Sequence, residues 1–279
     1  MRGPIVAINV ARMITEGQAA RLPMLSDAMT PLRWFLRSLG LLLIAVFGTL
    51  PVVMCMNRYA ARIHIAGKGL DEFMLNAWAG AVCWVFGVRV RQQGEPVPPP
   101  VLVVANHISW LDIVVLHRCA AMGFVSKAEI RRWPVLGFLA RVGGTVFHER
   151  GSRDSAESVS RAMSERLRDR ARVAIFAEGG ILPGPGVKRF HARLFKAAIE
   201  AECPVQPVMI RYRFQGSVDD FAGFAARESF PANLLRLMGR PRRECDVAFL
   251  DAFDASGRAR REVAAQAQAA VASAFEAAA

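Results

Sequence analysis

A chain of 279 residues with a formal net charge of +12 is long enough to bury one large α/β core, and its 53% hydrophobic content exceeds that of an ordinary soluble protein, so part of it is expected not to face water. The charge draws the chain to anionic lipid head groups, phosphate substrates or nucleic acid. Nucleic acid fits least, because the basic residues are dispersed among apolar segments with no zinc-finger or RNA-binding signature, and the scattered cysteines Cys55, Cys83, Cys119, Cys203 and Cys245 form neither a metal cluster nor a disulfide framework.

Residues 1–30 form an N-terminal extension with no signal-peptide core, a candidate for disorder, and Met24 or Met29 is a candidate for the natural start. Residues 31–94 read as a membrane-anchoring helical segment. Within it, SLGLLLIAVFGTLPVVMCM (38–56) carries no charge and is flanked by Arg33 and Arg37 before it and by Arg58 and Arg62 after it. That is about the minimum for a transmembrane helix. Pro51 is expected to kink it, and the balanced flanks allow a helix lying in one leaflet as readily as a single span. A shorter apolar run at 73–88, with Trp78 and Trp84, completes an expected helical hairpin anchored to the membrane. The alternative is that both runs are core helices.

A proline-rich hinge, EPVPPP, opens the α/β domain expected over residues 95–279. Short β-branched runs predict strands at 101–105, 124–126, 145–147, 173–176 and 205–212. Helical periodicity fills 111–121, 134–142, 155–169 and 192–202 between them. Alternation of this kind predicts a mostly parallel sheet with flanking helices. A strand at 246–250 and an alanine-rich helix from Arg258 onward close the chain.

The strand ends hold the chemistry. His107 and Asp112 are five apart, so they cannot meet if both are helical. The pattern Ser109-x-x-Asp112 has the form of a capping box, which places His107 in the strand-to-helix turn and Asp112 in the first helical turn, able to reach back to the imidazole. A carboxylate on one ring nitrogen fixes the tautomer and raises the basicity of the other, which describes a general base. With no nucleophile elbow nearby, the proton it removes is expected to come from a substrate hydroxyl. The bland alternative is a capping aspartate beside an incidental histidine. Arg150, Glu178 and Gly179 also fall at predicted strand ends, where open α/β sheets bind ligands.

Asn106-His107-x4-Asp112, Gly144-x-x-Phe147-x-x-Arg150, Phe176-x-Glu178-Gly179 and Val205-x-Pro207-Val208-x-Ile210 resemble, in order, the four motifs of the glycerolipid acyltransferases. The resemblance covers roughly residues 101–212. It implies transfer of a fatty acyl group from a thioester on acyl carrier protein or coenzyme A to the hydroxyl of a lysolipid, with no cofactor. The expected acceptor is 1-acylglycerol-3-phosphate, giving phosphatidate; a lyso-ornithine lipid or another lysolipid is the alternative. Readings from other classes are a thioester hydrolase and a non-catalytic membrane-tethered module. By the same resemblance His107 and Asp112 are catalytic. Gly144, Arg150, Glu178, Gly179, Lys127 and Lys188 are on the substrate side, Arg150 against phosphate. The location it implies is the cytoplasmic face of a bacterial-type inner membrane. One motif departs from the family pattern F-P-E-G-T: Ala177 stands for the proline and Gly180 for the threonine, and Lys188, Arg189 and His191 follow as substitute positive charge.

Overall fold

The computed structural model describes residues 29–132, 136–148, 153–181, 186–225 and 227–277. The extension expected over 1–30 lies outside these apart from its last two residues, as does Met24. The described residues begin with α1 (Thr30–Cys55), a hairpin of β1 (His64–Ile65) and β2 (Lys68–Gly69), and α2 (Leu70–Val85). Then come β3 (Val88–Gln93), β4 (Val101–Ala105), α3 (Leu111–Cys119), β5 (Gly123–Lys127), α4 (Leu136–Val142), β6 (Val146–His148), α5 (Arg153–Arg168) and β7 (Arg172–Phe176). The last part holds α6 (Lys196–Glu200), β8 (Val205–Phe214), β9 (Ser217–Val218), α7 (Phe230–Gly239), β10 (Arg243–Phe249) and α8 (Arg260–Ala277).

The sheet runs β3-β10-β8-β4-β7-β5-β6, with β9 folded back on β8. From β8 to β6 the neighbours are parallel, and β10 joins β8 antiparallel. Strand β4 explains the arrangement. All five of its residues are buried, with Val101, Val103 and Ala105 in one core cluster and Leu102 and Val104 in the other, the two-residue alternation of a strand covered on both faces. Helices α2 and α3 cover the first face through Ala79, Val82, Leu111 and Val115. On the second face α5, α6 and α8 contribute Val159, Met163, Ala197, Val263 and Ala267.

The mostly parallel α/β architecture expected from the sequence is the one observed, and 101–105 is matched residue for residue. The 192–202 helix resolves into a 3-10 turn, Ala192–Phe195, followed by α6. Sequence patterning passed over β3 and α7. The stretch VRVRQQ has charged and amide side chains facing outward at the sheet edge, so it lacks the apolar signature of an inner strand.

The boundary at 94/95 and the helical hairpin are corrected by burial. Strand β3 pairs in parallel with β10 from Val88 to Gln93, and α2 packs Ala79 (0% exposed) and Cys83 (2%) into the core. The α/β unit therefore reaches back to α2. What remains as a membrane candidate among the described residues is α1, long and apolar enough to cross a bilayer, with Val52 its buried residue. Its outer side shows Phe35, Phe47, Leu50 and Met54 at 62–70% exposure.

Pro51 does not end α1. It removes one N–H from the helical ladder, and just before it the helix widens into a π turn, Ile44–Gly48, with Thr49 Oγ1 donating to Ile44 O (3.1 Å). Hydrogen bonds fix the helix to the domain. Arg37 donates to the carbonyls of Leu237, Met238 and Arg240 (3.1, 2.9 and 2.8 Å), satisfying the carboxyl end of α7, and Trp78 of α2 donates to Thr49 Oγ1 (3.3 Å).

Arg211 (1% exposed) is buried beneath α8, donating to Phe275 O (3.0 Å) and Asp246 Oδ2 (3.1 Å). Substituting Asp246 by alanine leaves that guanidinium buried without its counter-ion and is expected to cost about 3–5 kcal/mol. Lys196→Ala, which breaks an exposed i,i+4 pair with Glu200, is expected to cost about 0.5 kcal/mol or less. Denaturant midpoints of the two variants in detergent check the contrast.

Candidate active site

Chain order reverses at β4, which has β8 on one side and β7 on the other although β5 follows it in sequence. A crevice therefore opens at the carboxyl ends of these strands. His107 sits there, two residues beyond Ala105, in the turn that leads to α3.

Its Nδ1 lies 2.9 Å from Asp112 Oδ2. The same oxygen accepts the backbone N–H of Ile108 (2.7 Å) and Ser109 (2.8 Å), so Asp112 draws the whole turn around its carboxylate. Its other oxygen, Oδ1, accepts the hydroxyl of Tyr212 (2.8 Å) from β8. Half of the expected capping box forms: Asp112 reaches the Ser109 amide as the box requires, whereas Ser109 Oγ accepts from Leu111 N (3.3 Å) and the helix begins at Leu111, not at Ser109.

With a carboxylate opposite, Nδ1 carries the proton and Nε2 presents its lone pair. Nε2 makes no hydrogen bond among the described residues, and the side chain is 13% exposed. The ring is held flat by Phe176, stacked with centroids 3.8 Å apart and planes 9° from parallel. Tyr212 is fully buried, and burial first, then the Asp112 charge, pushes its phenol well above the usual range, so it remains a donor.

Two further ties fix the turn. Asn106 donates from Nδ2 to Ile210 O and accepts at Oδ1 from Ile210 N, both 2.8 Å, extending the β4–β8 pairing with a side chain. Glu178, buried past the end of β7, accepts His107 N on Oε2 (3.0 Å) and Lys188 N on Oε1 (2.7 Å). Burial raises its carboxyl pKa, and those amide bonds oppose the rise. Each oxygen of Glu178 thus accepts a backbone amide, an arrangement suited to bracing two loops.

Gly179 adopts φ +75°, and a Cβ there would come within 2.9 Å of the His191 ring, so glycine lets the turn pack against that imidazole. Gly144 is not brought to the site. It lies in the turn before β6, at the opposite end of the strand from the crevice, where φ +74° and the close guanidinium of Arg166 give it a structural reason to be glycine. Lys127 ends β5, on the crevice end of the sheet by its backbone. Lys188 enters through its amide. Arg150 lies outside the described residues.

Sequence reasoning missed Tyr212 as a partner of the dyad and Phe176 as a platform. For Tyr212 a signal existed: a tyrosine inside an otherwise apolar run requires a hydroxyl partner once buried. The buried thiols offer no rival nucleophile, since burial pushes Cys83 and Cys119 up to about 12. Among the described residues no His, Cys, Asp and Glu group could hold a metal ion.

Residues 88–211 match the family model described as Acyltransferase. The chain is 39% identical over 202 residues to a lyso-ornithine lipid O-acyltransferase of Pseudomonas aeruginosa, covering 72% of this chain and 78% of that one. It is 35% identical over 175 residues to a 1-acyl-sn-glycerol-3-phosphate acyltransferase of Neisseria gonorrhoeae, covering 61% and 67%. The fold is similar to the crystal structure of the 1-acyl-sn-glycerophosphate acyltransferase PlsC from Thermotoga maritima, with a TM-score of 0.66 at 18% identity over 89% of this chain and 95% of that one. With the His107–Asp112 pair at the end of β4, inside the matched region, the chain belongs to the acyltransferase family.

Proposed function

We propose that this protein acylates the free hydroxyl of a lysolipid, taking the acyl group from a thioester of acyl carrier protein or coenzyme A. The observation that carries the reading is His107, in the turn at the carboxyl end of β4: one nitrogen is held by Asp112 and the other makes no hydrogen bond among the described residues. His107 Nε2 takes the proton of the acceptor hydroxyl as its oxygen attacks the thioester carbonyl. The tetrahedral intermediate collapses, the carbon–sulfur bond breaks, and the imidazolium returns the proton to the departing sulfur. Asp112 stabilises the imidazolium between the two transfers.

The acceptor we favour is a lyso-ornithine lipid. Of the two relatives described above, the enzyme of that name shares more of this chain, and the sequence FAEGG has neither the proline nor the threonine of the pattern F-P-E-G-T. The second reading, acylation of 1-acylglycerol-3-phosphate to phosphatidate, is supported by the Neisseria relative. Site assignments for Arg150, Lys127 and Lys188 belong to this proposal as contacts to the acceptor's polar head. The exposed apolar side of α1 lies in the membrane that holds the lipid, on its cytoplasmic face, since exposing an acyl chain to water costs about 0.8 kcal/mol per methylene.

Purified protein given one thioester donor and a panel of lysolipids tests the reaction. Acylated lyso-ornithine lipid is the expected product, lost by about a thousandfold or more in His107→Ala. Phosphatidate as the main product would shift the acceptor to the second reading, and free fatty acid alone would make the protein a thioester hydrolase. Tyr212→Phe removes one donor from the Asp112 carboxylate and leaves the ring in place. We expect kcat to fall roughly tenfold with KM little changed.

A further inference from the structure

Lined by none of the residues described at the His107 turn, a cavity of about 770 Å³ opens between the last turns of α2, the start of β3, the end of α3, the turn after β8 and the start of β10. Five arginines line it, Arg89, Arg118, Arg213, Arg242 and Arg243, against one acid, Glu244. Two of the five are neutralised within the fold. Arg213 pairs with Asp246 and Glu244, and Arg243 donates to Asp219 (2.6 Å) while lying over the Phe214 ring. Arg89, Arg118 and Arg242 have no carboxylate partner among the described residues.

These cations are seated in the fold. A Cβ on Gly80 would come within 2.9 Å of Arg118 Cδ and Nε, and one on Gly87 would strike the Arg37 guanidinium and reach Arg242 Cγ at 3.4 Å, so two glycines admit arginine stems against the backbone. Gathering like charges without a counter-ion is repulsive, and a multivalent anion in the cavity relieves it.

Position decides where that anion comes from. Arg37 belongs to α1, so the cavity adjoins the apolar helix directly, and its wall carries Trp84, 71% exposed. An exposed indole beside cations suits the head-group layer of a bilayer. We infer that this cavity binds the phosphate of an anionic membrane lipid, separately from the acceptor in the catalytic crevice, and so fixes the rotation of the domain about α1 on the membrane. The inference rests on the reading that α1 lies in the membrane.

The test is flotation of the full chain with vesicles of phosphatidylcholine alone and with vesicles in which part is replaced by phosphatidylglycerol. The variants are a crease triple, Arg89→Gln, Arg118→Gln and Arg242→Gln, and a control triple, Arg193→Gln, Arg260→Gln and Arg261→Gln, with equal loss of charge. Wild type is expected to gain binding from the anionic lipid. That gain should fall about tenfold or more in the crease triple and less than about twofold in the control. Binding to neutral vesicles should be alike in all three. An equal fall in both triples, or no anionic gain in wild type, overturns the site. Calorimetry with 3′-phosphoadenosine 5′-diphosphate separates the soluble source: tight binding lost in the crease triple, with its vesicle gain intact, overturns the lipid assignment. Failure to float with neutral vesicles would count against the placement of α1 and not against the cavity.

Discussion

A carboxylate cut off from solvent must have its charge met by the protein, and Asp112, at 0% exposure, is met by four donors: His107 Nδ1, the amides of Ile108 and Ser109, and the Tyr212 hydroxyl. Each hydrogen bond to a charged group is worth about 1.5–3 kcal/mol, and an uncompensated buried charge costs more than any one of them returns. The turn therefore has few ways to fold. Two of the donors are the amides that follow His107, so the bonds that stabilise the carboxylate also set where the imidazole points. Asn106 and Glu178 secure the same turn from its two sides, one to β8 and the other to the loop after β7.

The sheet supplies these partners. Strand β8 runs beyond the end of β4, and its later residues pair with β10, which carries Tyr212 past the His107 turn to the level of Asp112. The carboxylate and the phenol are 100 residues apart in sequence, and strand register brings them together. Phe176 closes the other side of the imidazole from β7. An imidazole held by three adjacent strands keeps its orientation without help from a ligand, and in the proposed reaction little ordering would remain for the moment of transfer.

The inner strands and the His107–Asp112 pair were legible in the sequence for one reason each: Val101 to Ala105 form an unbroken apolar run ending in a turn, and a five-residue spacing forces one of the two residues out of the helix. Other features were not legible because they depend on distant partners. β3 becomes a strand by pairing with β10, and nothing local in VRVRQQ reports that. The run at 73–88 is as apolar as a membrane segment, and only the packing of Ala79, Val82 and Cys83 against the sheet marks it as core. Glu178 was legible as a site residue, but its part in bracing the turn follows from two backbone amides that sequence does not display. Gly144 carried a motif position, and its place at the far end of β6 could be seen only in three dimensions.

Helix α1 shows its apolar side to the surroundings while Arg37 and the Trp78–Thr49 contact hold it against the α/β unit. All of this places the burden on the protonation state of one ring. Nitrogen-15 NMR of histidine-labelled protein, with the His107→Ala spectrum used for assignment, reads it directly. The neutral imidazole is expected to carry its proton on Nδ1, with Nε2 at the shift of an unprotonated ring nitrogen; a proton found on Nε2 would contradict the assignment of His107 as the base.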